Sequence, residues 1–431
     1  MKIGIACGGT GGHIFPGLAT AEVLRRCGHA VTLWLAGKDV EMSAVDGWNG
    51  PIVTVPAGGI TSIFSFRNIG VAWRMMLAVR QCRRIMQDPK PDVLLAMGSY
   101  ASVAPVWAAH TMRVPIVLHE ANVVPGRAIR FLSRWAAAVA VGFEETRRHL
   151  QHRQVVLTGM PLRRGQESEV RGQVSGGTPS VQSTKGPPRL ERGELACHAV
   201  RVAAKGGDVG GQQAVSSEQS AHRLVRHSHL GEGGSQVSAK MGEQWQQLQE
   251  GVFTVLVMGG SRGAHLLNER AVAAIIRLRQ QGQSVQVIHL TGRADERAVR
   301  KQYEQAGVAH AVFGFLHDMT RAYQRASLAV CRSGASTCAE LSGHGIPALL
   351  VPYPFATRQH QGANARAVAD AGAADVRLES ELSVEWLTDY LAARMADADG
   401  LERMKQAARR RQRGDAAEAL ADLVEQIGRG Q

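Results

Sequence analysis

Two glycine-rich turns, each leading from an apolar run into a helix, constrain the fold of this chain more than any other feature. Gly8-Gly9-Thr10-Gly11-Gly12-His13 follows Ile3-Gly4-Ile5-Ala6 and leads into Phe15-Pro16-Gly17-Leu18-Ala19, where the proline is expected in the first helical turn. Gly259-Gly260-Ser261-Arg262-Gly263 follows Val252-Phe253-Thr254-Val255-Leu256-Val257 and opens a helical stretch from Ala264. A glycine turn between a buried parallel strand and a helix lets backbone N–H groups approach an anion, and the helix dipole adds partial positive charge there. A tight turn without a ligand explains either loop alone equally well. Both loops together, carrying Ser, Thr and His, point to two α/β units that face each other across a cleft.

At 431 residues the chain exceeds one ordinary core, so two domains are expected. No apolar run reaches the ~20 residues that cross a bilayer, and the N-terminus begins on a strand without a signal-peptide core. Cys7, Cys27, Cys82, Cys197, Cys331 and Cys338 show no metal-ligand spacing and read as buried thiols in a reducing cytoplasm. No metal or cofactor is expected. The net charge of +13 calls for an anionic partner: nucleic acid, an anionic membrane or a phosphorylated substrate. With only 5% aromatic residues and scattered arginines, nucleic acid ranks last.

Along the first part, strands expected at 2–6, 30–35, 52–56, 92–96, 115–119, 138–142 and 154–158 alternate with helices near 16–27, 69–87, 101–111, 126–134 and 144–150. The rhythm resumes with strands at 252–257, 284–290, 311–313, 328–331 and 347–351. Helices near 264–280, 295–306, 319–326, 337–343 and 361–371 separate them, and 384–428 reads as helical. Such βαβα alternation predicts doubly wound, mostly parallel sheets in two Rossmann-like domains, over 1–164 and 249–431. Residues 165–248 lack apolar periodicity and are rich in Gly, Ser and Gln; they read as a disordered insertion, with a partner-binding segment as the alternative.

The first loop does not complete G-x-G-x-x-G, because Ile14 stands where the third glycine belongs, and no Walker sequence occurs. Hydride transfer and ATP hydrolysis are therefore disfavoured. Doubly wound sheets still bind ligands beyond the carboxyl ends of their strands, where the remaining constellations fall. His119-Glu120-Ala121-Asn122 ends one strand, and Gly159-Met160-Pro161-Leu162-Arg163 ends another with an arginine able to reach a phosphate. Cys331-Arg332-Ser333-Gly334-Ala335-Ser336-Thr337 turns into a helix, with Glu340 one turn inside it. That carboxylate can accept from both ribose hydroxyls or serve as a helix cap. His360, Gln361 and Asn364 share a helix face whose amides suit sugar hydroxyls.

Taken together, GGTGGHIFPGLA (8–19), HEAN (119–122), GMPLR (159–163), GGSRGA (259–264), FLHDM (315–319), CRSGASTCAE (331–340) and VPYPFATRQHQGANA (351–365) resemble the MurG family of N-acetylglucosaminyltransferases. The resemblance covers 1–163 and 252–425. It implies a GT-B fold and a metal-independent, inverting transfer of N-acetylglucosamine from UDP-GlcNAc to lipid I, undecaprenyl-diphospho-N-acetylmuramoyl-pentapeptide, giving lipid II. With that come peptidoglycan synthesis, cell shape and division, the cytoplasmic face of the plasma membrane, and other cell-wall synthesis proteins as candidate partners. By motif, it assigns Thr10, Gly11 and Gly12 to the donor site and Asn122 to the transferred sugar. Arg163 and Ser261 fall near the diphosphate, and Leu316 meets the uracil through its backbone. Ala335, Ser336, Thr337, Cys338, Ala339 and Glu340 hold phosphate and ribose, and Gln361 binds sugar hydroxyls. Ser99 departs from the family's Gly-Gly-Tyr, Met160 departs from its Gly-Asn-Pro, and the insertion replaces a short interdomain stretch.

An inverting transfer needs a base for the acceptor hydroxyl. His13 is the first candidate, since its ordinary pKa suits neutral pH and the helix N-terminus disfavours its cation. Glu120 is the second, as base or as orienting group; a His13 that only braces the loop is the alternative. Over 69–86, Ile69, Trp73, Met76, Leu77 and Ile85 lie among Arg74, Arg80, Arg83 and Arg84, which fits either shallow insertion into anionic headgroups or packing on the chain's own sheet. A UDP-GlcNAc 2-epimerase of the same architecture, and a basic binding protein with a vestigial nucleotide site, are the competing functions.

Overall fold

The computed structural model describes residues 1–9, 11–37, 45, 47–55, 69–162 (69–72 by backbone alone), 244–259, 264–316, 318–356, 359–412 and 414–430. Thr10, Arg163, Ser261 and most of the expected insertion lie outside the described residues.

The first part forms a seven-stranded parallel sheet from β1 (Lys2–Ala6), β2 (Ala30–Leu35), β3 (Ile52–Thr54), β4 (Val93–Ala96), β5 (Ile116–Glu120), β6 (Ala138–Val141) and β7 (Val155–Leu157), in the order β3-β2-β1-β4-β5-β6-β7. The second is a six-stranded parallel sheet from β8 (Phe253–Met258), β9 (Val285–Leu290), β10 (Ala309–Phe313), β11 (Leu328–Cys331), β12 (Ala348–Leu350) and β13 (Ala374–Val376), in the order β10-β9-β8-β11-β12-β13. The central strands are buried along their whole length, which is why they read as continuous Val, Leu and Ala runs. Strand order reverses between β1 and β4 and between β8 and β11. Both glycine turns therefore leave a sheet at its switch point, where doubly wound folds bind ligands.

Helix α1 spans Gly11–Arg26, so Pro16 lies inside it and not in its first turn as the sequence suggested. The glycines themselves start the helix, and the proline forgoes one hydrogen bond, to the Gly12 carbonyl, without ending it. A side chain at Gly17 would stand 2.6 Å from Cys7 Cβ, so the glycine lets α1 close onto the end of β1. Helix α2 (Ile69–Met86) and α3 (Val103–Thr111) cover one face of the first sheet. Of the expected helix 126–134, only Arg127–Leu132 is α-helical (α4), and 144–150 is a 3-10 stretch over Glu144–His149.

Helices α5 (His265–Gln280), α6 (Glu296–Gln305), α7 (Thr320–Arg325), α8 (Ala335–His344) and α9 (His360–Asp370) belong to the second sheet. The C-terminal helical stretch is three helices, α10 (Val384–Ala396), α11 (Ala398–Arg411) and α12 (Ala416–Arg429). The last carries Ala417, Leu420, Ala421, Leu423 and Val424 into the core around Ile3, Ile5, Val93 and Leu95 of the first sheet. His29 and Glu425 pair at 3.0 Å beside that contact.

Two sequence readings are corrected here. The edge strand β13 was missed because three residues carry no period. Gln244, Trp245 and Leu248 were counted with the insertion, yet Trp245 and Leu248 are buried. The Val312 N–H donates to Gln244 Oε1 at 2.9 Å, and the Trp245 and Phe313 rings lie 5.3 Å apart. A single helical turn among glutamines gives no amphipathic signal long enough to read. Among the described residues no helix is long and apolar enough to cross a membrane.

Candidate active site

At the first switch point Gly9 adopts φ 130°, which favours glycine, and a Cβ there would press 3.0 Å from Ser99 Cβ. Gly11 and Gly12 open α1, and His13 follows in its first turn, partly buried. Burial lowers the His13 pKa; a backbone hydrogen bond to Met97 opposes this, and His360 adds to the lowering. Among the described residues His13 Nδ1 is buried without a hydrogen-bond partner. Neutrality therefore comes chiefly from desolvation, whereas the sequence argument credited the helix terminus.

His119, to which the sequence reading gave no role, is buried beside it and held near a pKa of about 4 by burial, with His13 contributing. Its Nε2 lies 3.1 Å from the Gly159 carbonyl. His13, His119 and His360 thus share one electrostatic neighbourhood.

Glu120 ends β5 and is 4% exposed. Its Oε1 accepts from Asn122 N at 2.9 Å and Asn122 Nδ2 at 3.1 Å, and its Oε2 from Gly126 N at 2.9 Å. Burial raises its pKa while these bonds oppose the rise. Such a carboxylate braces the loop 120–126, and both oxygens are engaged.

In the second half Leu316 follows β10 with its side chain buried. The segment Ala335–Glu340 forms the first turns of α8, entered through Gly334 in extended conformation. The helix divides it. Cys338 and Ala339 line a cavity with Met160, Leu162 and Arg411, while Glu340 turns to α7 and accepts from the Tyr323 hydroxyl at 2.5 Å. Burial pushes the Cys338 thiol up to about 12 and the Glu340 carboxyl up to about 7, the latter despite the tyrosine bond. Ser336 and Thr337 remain partly exposed beside the turn. Gln361 Oε1 accepts from Tyr353 N at 2.9 Å, and the Gln361 carbonyl accepts from Ser333 Oγ at 2.8 Å.

Asn364 does not share the sugar-facing role expected for its helix face. It is fully buried: Val123 N donates to its Oδ1 at 3.0 Å, and its Nδ2 donates to Asn122 Oδ1 at 3.1 Å and to the Ser333 carbonyl at 3.2 Å. Neither this bridge nor Tyr323 was found from sequence. The GANA run containing Asn364 was visible, but its partners lie far away along the chain.

Of the two departures from the family motifs, one lies against the first glycine turn and the other in the cavity wall. Ser99 sits at φ −77°, open to any residue, with its side chain against Gly9. Met160 is buried in the cavity wall behind α8.

Helix α2 carries two apolar stripes. Met75, Ala78, Cys82 and Met86 pack into the core, and Ile85 joins them partly buried. Trp73, Met76 and Leu77 face outward at 56%, 47% and 46% exposure, flanked by exposed Arg80, Arg83 and Arg84.

The chain matches the glycosyltransferase family 28 N-terminal domain over residues 3–141 and the family 28 C-terminal domain over 254–427. A UDP-N-acetylglucosamine--N-acetylmuramyl-(pentapeptide) pyrophosphoryl-undecaprenol N-acetylglucosamine transferase from Trichlorobacter lovleyi is 31% identical over 427 residues, covering 98% of this chain and 97% of the relative. In fold it is similar to the crystal structure of MurG from Acinetobacter baumannii, with a TM-score of 0.69 and 23% identity over 99% of both chains. It also resembles UDP-GlcNAc 2-epimerase from Neisseria meningitidis, with a TM-score of 0.62 and 11% identity over 99% of this chain and 100% of that one. The fold alone thus fits both enzyme classes, and the sequence separates them: the chain belongs to glycosyltransferase family 28, among the pyrophosphoryl-undecaprenol N-acetylglucosamine transferases.

Proposed function

We propose that this chain transfers N-acetylglucosamine from UDP-GlcNAc, with inversion, to undecaprenyl-diphospho-N-acetylmuramoyl-pentapeptide, forming lipid II for peptidoglycan. The full-length likeness to transferases of that name carries the reading. The two strand-end sites supply fitting chemistry. The neutral His13 ring takes the proton from the acceptor hydroxyl as that oxygen attacks the anomeric carbon opposite UDP. The glycine turns and the start of α8 stabilise the departing diphosphate with backbone dipoles. Glu340 receives the ribose hydroxyls, Gln361 offers its amide N–H groups to the sugar, and Glu120 holds the loop beside them.

The same reading places the enzyme on the cytoplasmic face of the plasma membrane, with Trp73, Met76 and Leu77 of α2 entering the headgroup layer. Each arginine beside them contributes about 1 kcal/mol near an anionic surface. Charge reversal at Arg80, Arg83 and Arg84 is expected to weaken binding to anionic vesicles and to flatten its salt dependence; equal binding before and after moves the surface elsewhere.

One assay tests the reaction. Incubation with UDP-GlcNAc and a short-chain lipid I analogue should release UDP only with acceptor present and give a β-linked disaccharide. Epimerised sugar without an acceptor would instead establish the epimerase reading that the shared fold allows.

A further inference from the structure

Asn364 is the point where three segments meet. Through Oδ1 it holds the backbone of Val123, and through Nδ2 it holds the side chain of Asn122 and the carbonyl of Ser333. Asn122 is fastened to Glu120, which also fastens Gly126, so the loop 120–126 is tied together through one carboxylate. On the other side Ser333 fastens Gln361 at the head of α9, and Gly334 leads directly into α8. Asn364 is fully buried, so a carbonyl or amide separated from it has no water to turn to.

We infer that Asn364 is a positioning residue that transmits occupancy of the donor turn at 333–340 to the loop 120–126 on the first sheet. This rests on the proposed donor site. A nucleoside diphosphate seated on the start of α8 restrains the Ser333–Gly334 backbone. That restraint reaches Asn122 and Val123 through a single side chain with two donors and one acceptor in use. The loop is then set for the acceptor when the donor is in place. The chain of bonds is contiguous, so loss of its one shared member disconnects the two ends.

The test follows the Val123 amide, whose proton points at Asn364 Oδ1. Hydrogen exchange is measured with and without UDP on the full chain, alongside calorimetric UDP binding and steady-state kinetics. In the unaltered protein, saturating UDP should slow exchange at Val123 by roughly 5–150-fold, the usual span of coupling between two sites. Asn364→Ala should abolish that slowing and lower kcat within the same span, while donor KM and UDP affinity stay within about threefold. Asn122→Ala removes two side-chain bonds, the one from Asn364 Nδ2 and the one to Glu120 Oε1, and leaves α9 whole; it should reduce the slowing even if Asn364→Ala folds poorly. UDP contains no transferred sugar, so any Asn122 contact to that sugar does not enter. Persistence of the UDP effect at Val123 in both variants overturns the inference, as does a donor KM that changes in proportion to kcat. Absence of UDP binding to the unaltered protein overturns the donor site itself, an outcome distinct from UDP binding without an effect at Val123.

Discussion

Glu120 and Glu340 occupy comparable places, one at the carboxyl end of β5 and the other one turn into the helix that follows β11. Burial raises the pKa of both. They differ in what holds them. Three N–H donors from residues within its own loop occupy both oxygens of Glu120, whereas Glu340 receives one hydroxyl, from Tyr323, on Oε2. A carboxylate saturated by N–H groups of its own loop is built to shape that loop. One with a single partner among the described residues keeps acceptor capacity for a ligand.

The strongest challenge to this division concerns the base. His13→Ala should lower kcat by ~10²–10⁴-fold with little change in UDP binding, the usual cost of losing a general base. If Glu120→Gln shows that loss and His13→Ala does not, the base is Glu120 and not the imidazole. A proportional loss of UDP affinity in His13→Ala would make His13 a brace for the glycine turn.

Next in size are the paired alanine variants. Glu120→Ala strands buried N–H groups at about 1–3 kcal/mol each, so it should lower Tm clearly. Glu340→Ala leaves one buried donor, the Tyr323 hydroxyl, unpaired, so it should lower Tm less, yet weaken UDP binding by about 1.5–3 kcal/mol and erase discrimination against 2′-deoxy-UDP-GlcNAc. Equal Tm losses in the two would dissolve the contrast.

The smallest effect is a pH dependence. Folded Glu340 holds its proton up to about 7, above its ordinary range near 4.5. Between those values the native state binds more protons than the unfolded chain, so this group's contribution to stability falls as pH rises. Glu340→Gln should remove that slope. UDP binding should run the other way, weakening as pH drops through about 7 and the acceptor charge is lost. Tyr323→Phe withdraws the bond that lowers the pKa, so its binding midpoint should move to higher pH; an unmoved midpoint would separate the tyrosine from Glu340's titration.

Much of the fold was legible because its signals are local. Ile3 to Ala6 and Val255 to Val257 are buried on both faces of their sheets, and such strands must be written as apolar runs. The turns after them stand out by glycine. What escaped was short or shared: β13 at Ala374–Val376, the single turn around Trp245, and the split of 126–134 into α- and 3-10 helix. At the site, the motifs located His13, Glu120, Glu340 and Gln361 at strand ends. They could not tell that Asn364 faces inward, or that Cys338 and Ala339 face away from Glu340.

The sequence by itself determined two parallel α/β halves with a glycine turn at each switch point, because burial pattern and backbone freedom are properties of neighbouring residues. It also determined the family, through long motifs in fixed order. Only the tertiary structure decided which polar groups keep unused hydrogen-bond capacity and which are saturated. That depends on partners remote in the chain, as where Asn122 meets Asn364 across 242 residues. It depends too on desolvation, which holds His13 neutral and lifts Glu340 and which exists only once the surrounding segments have packed.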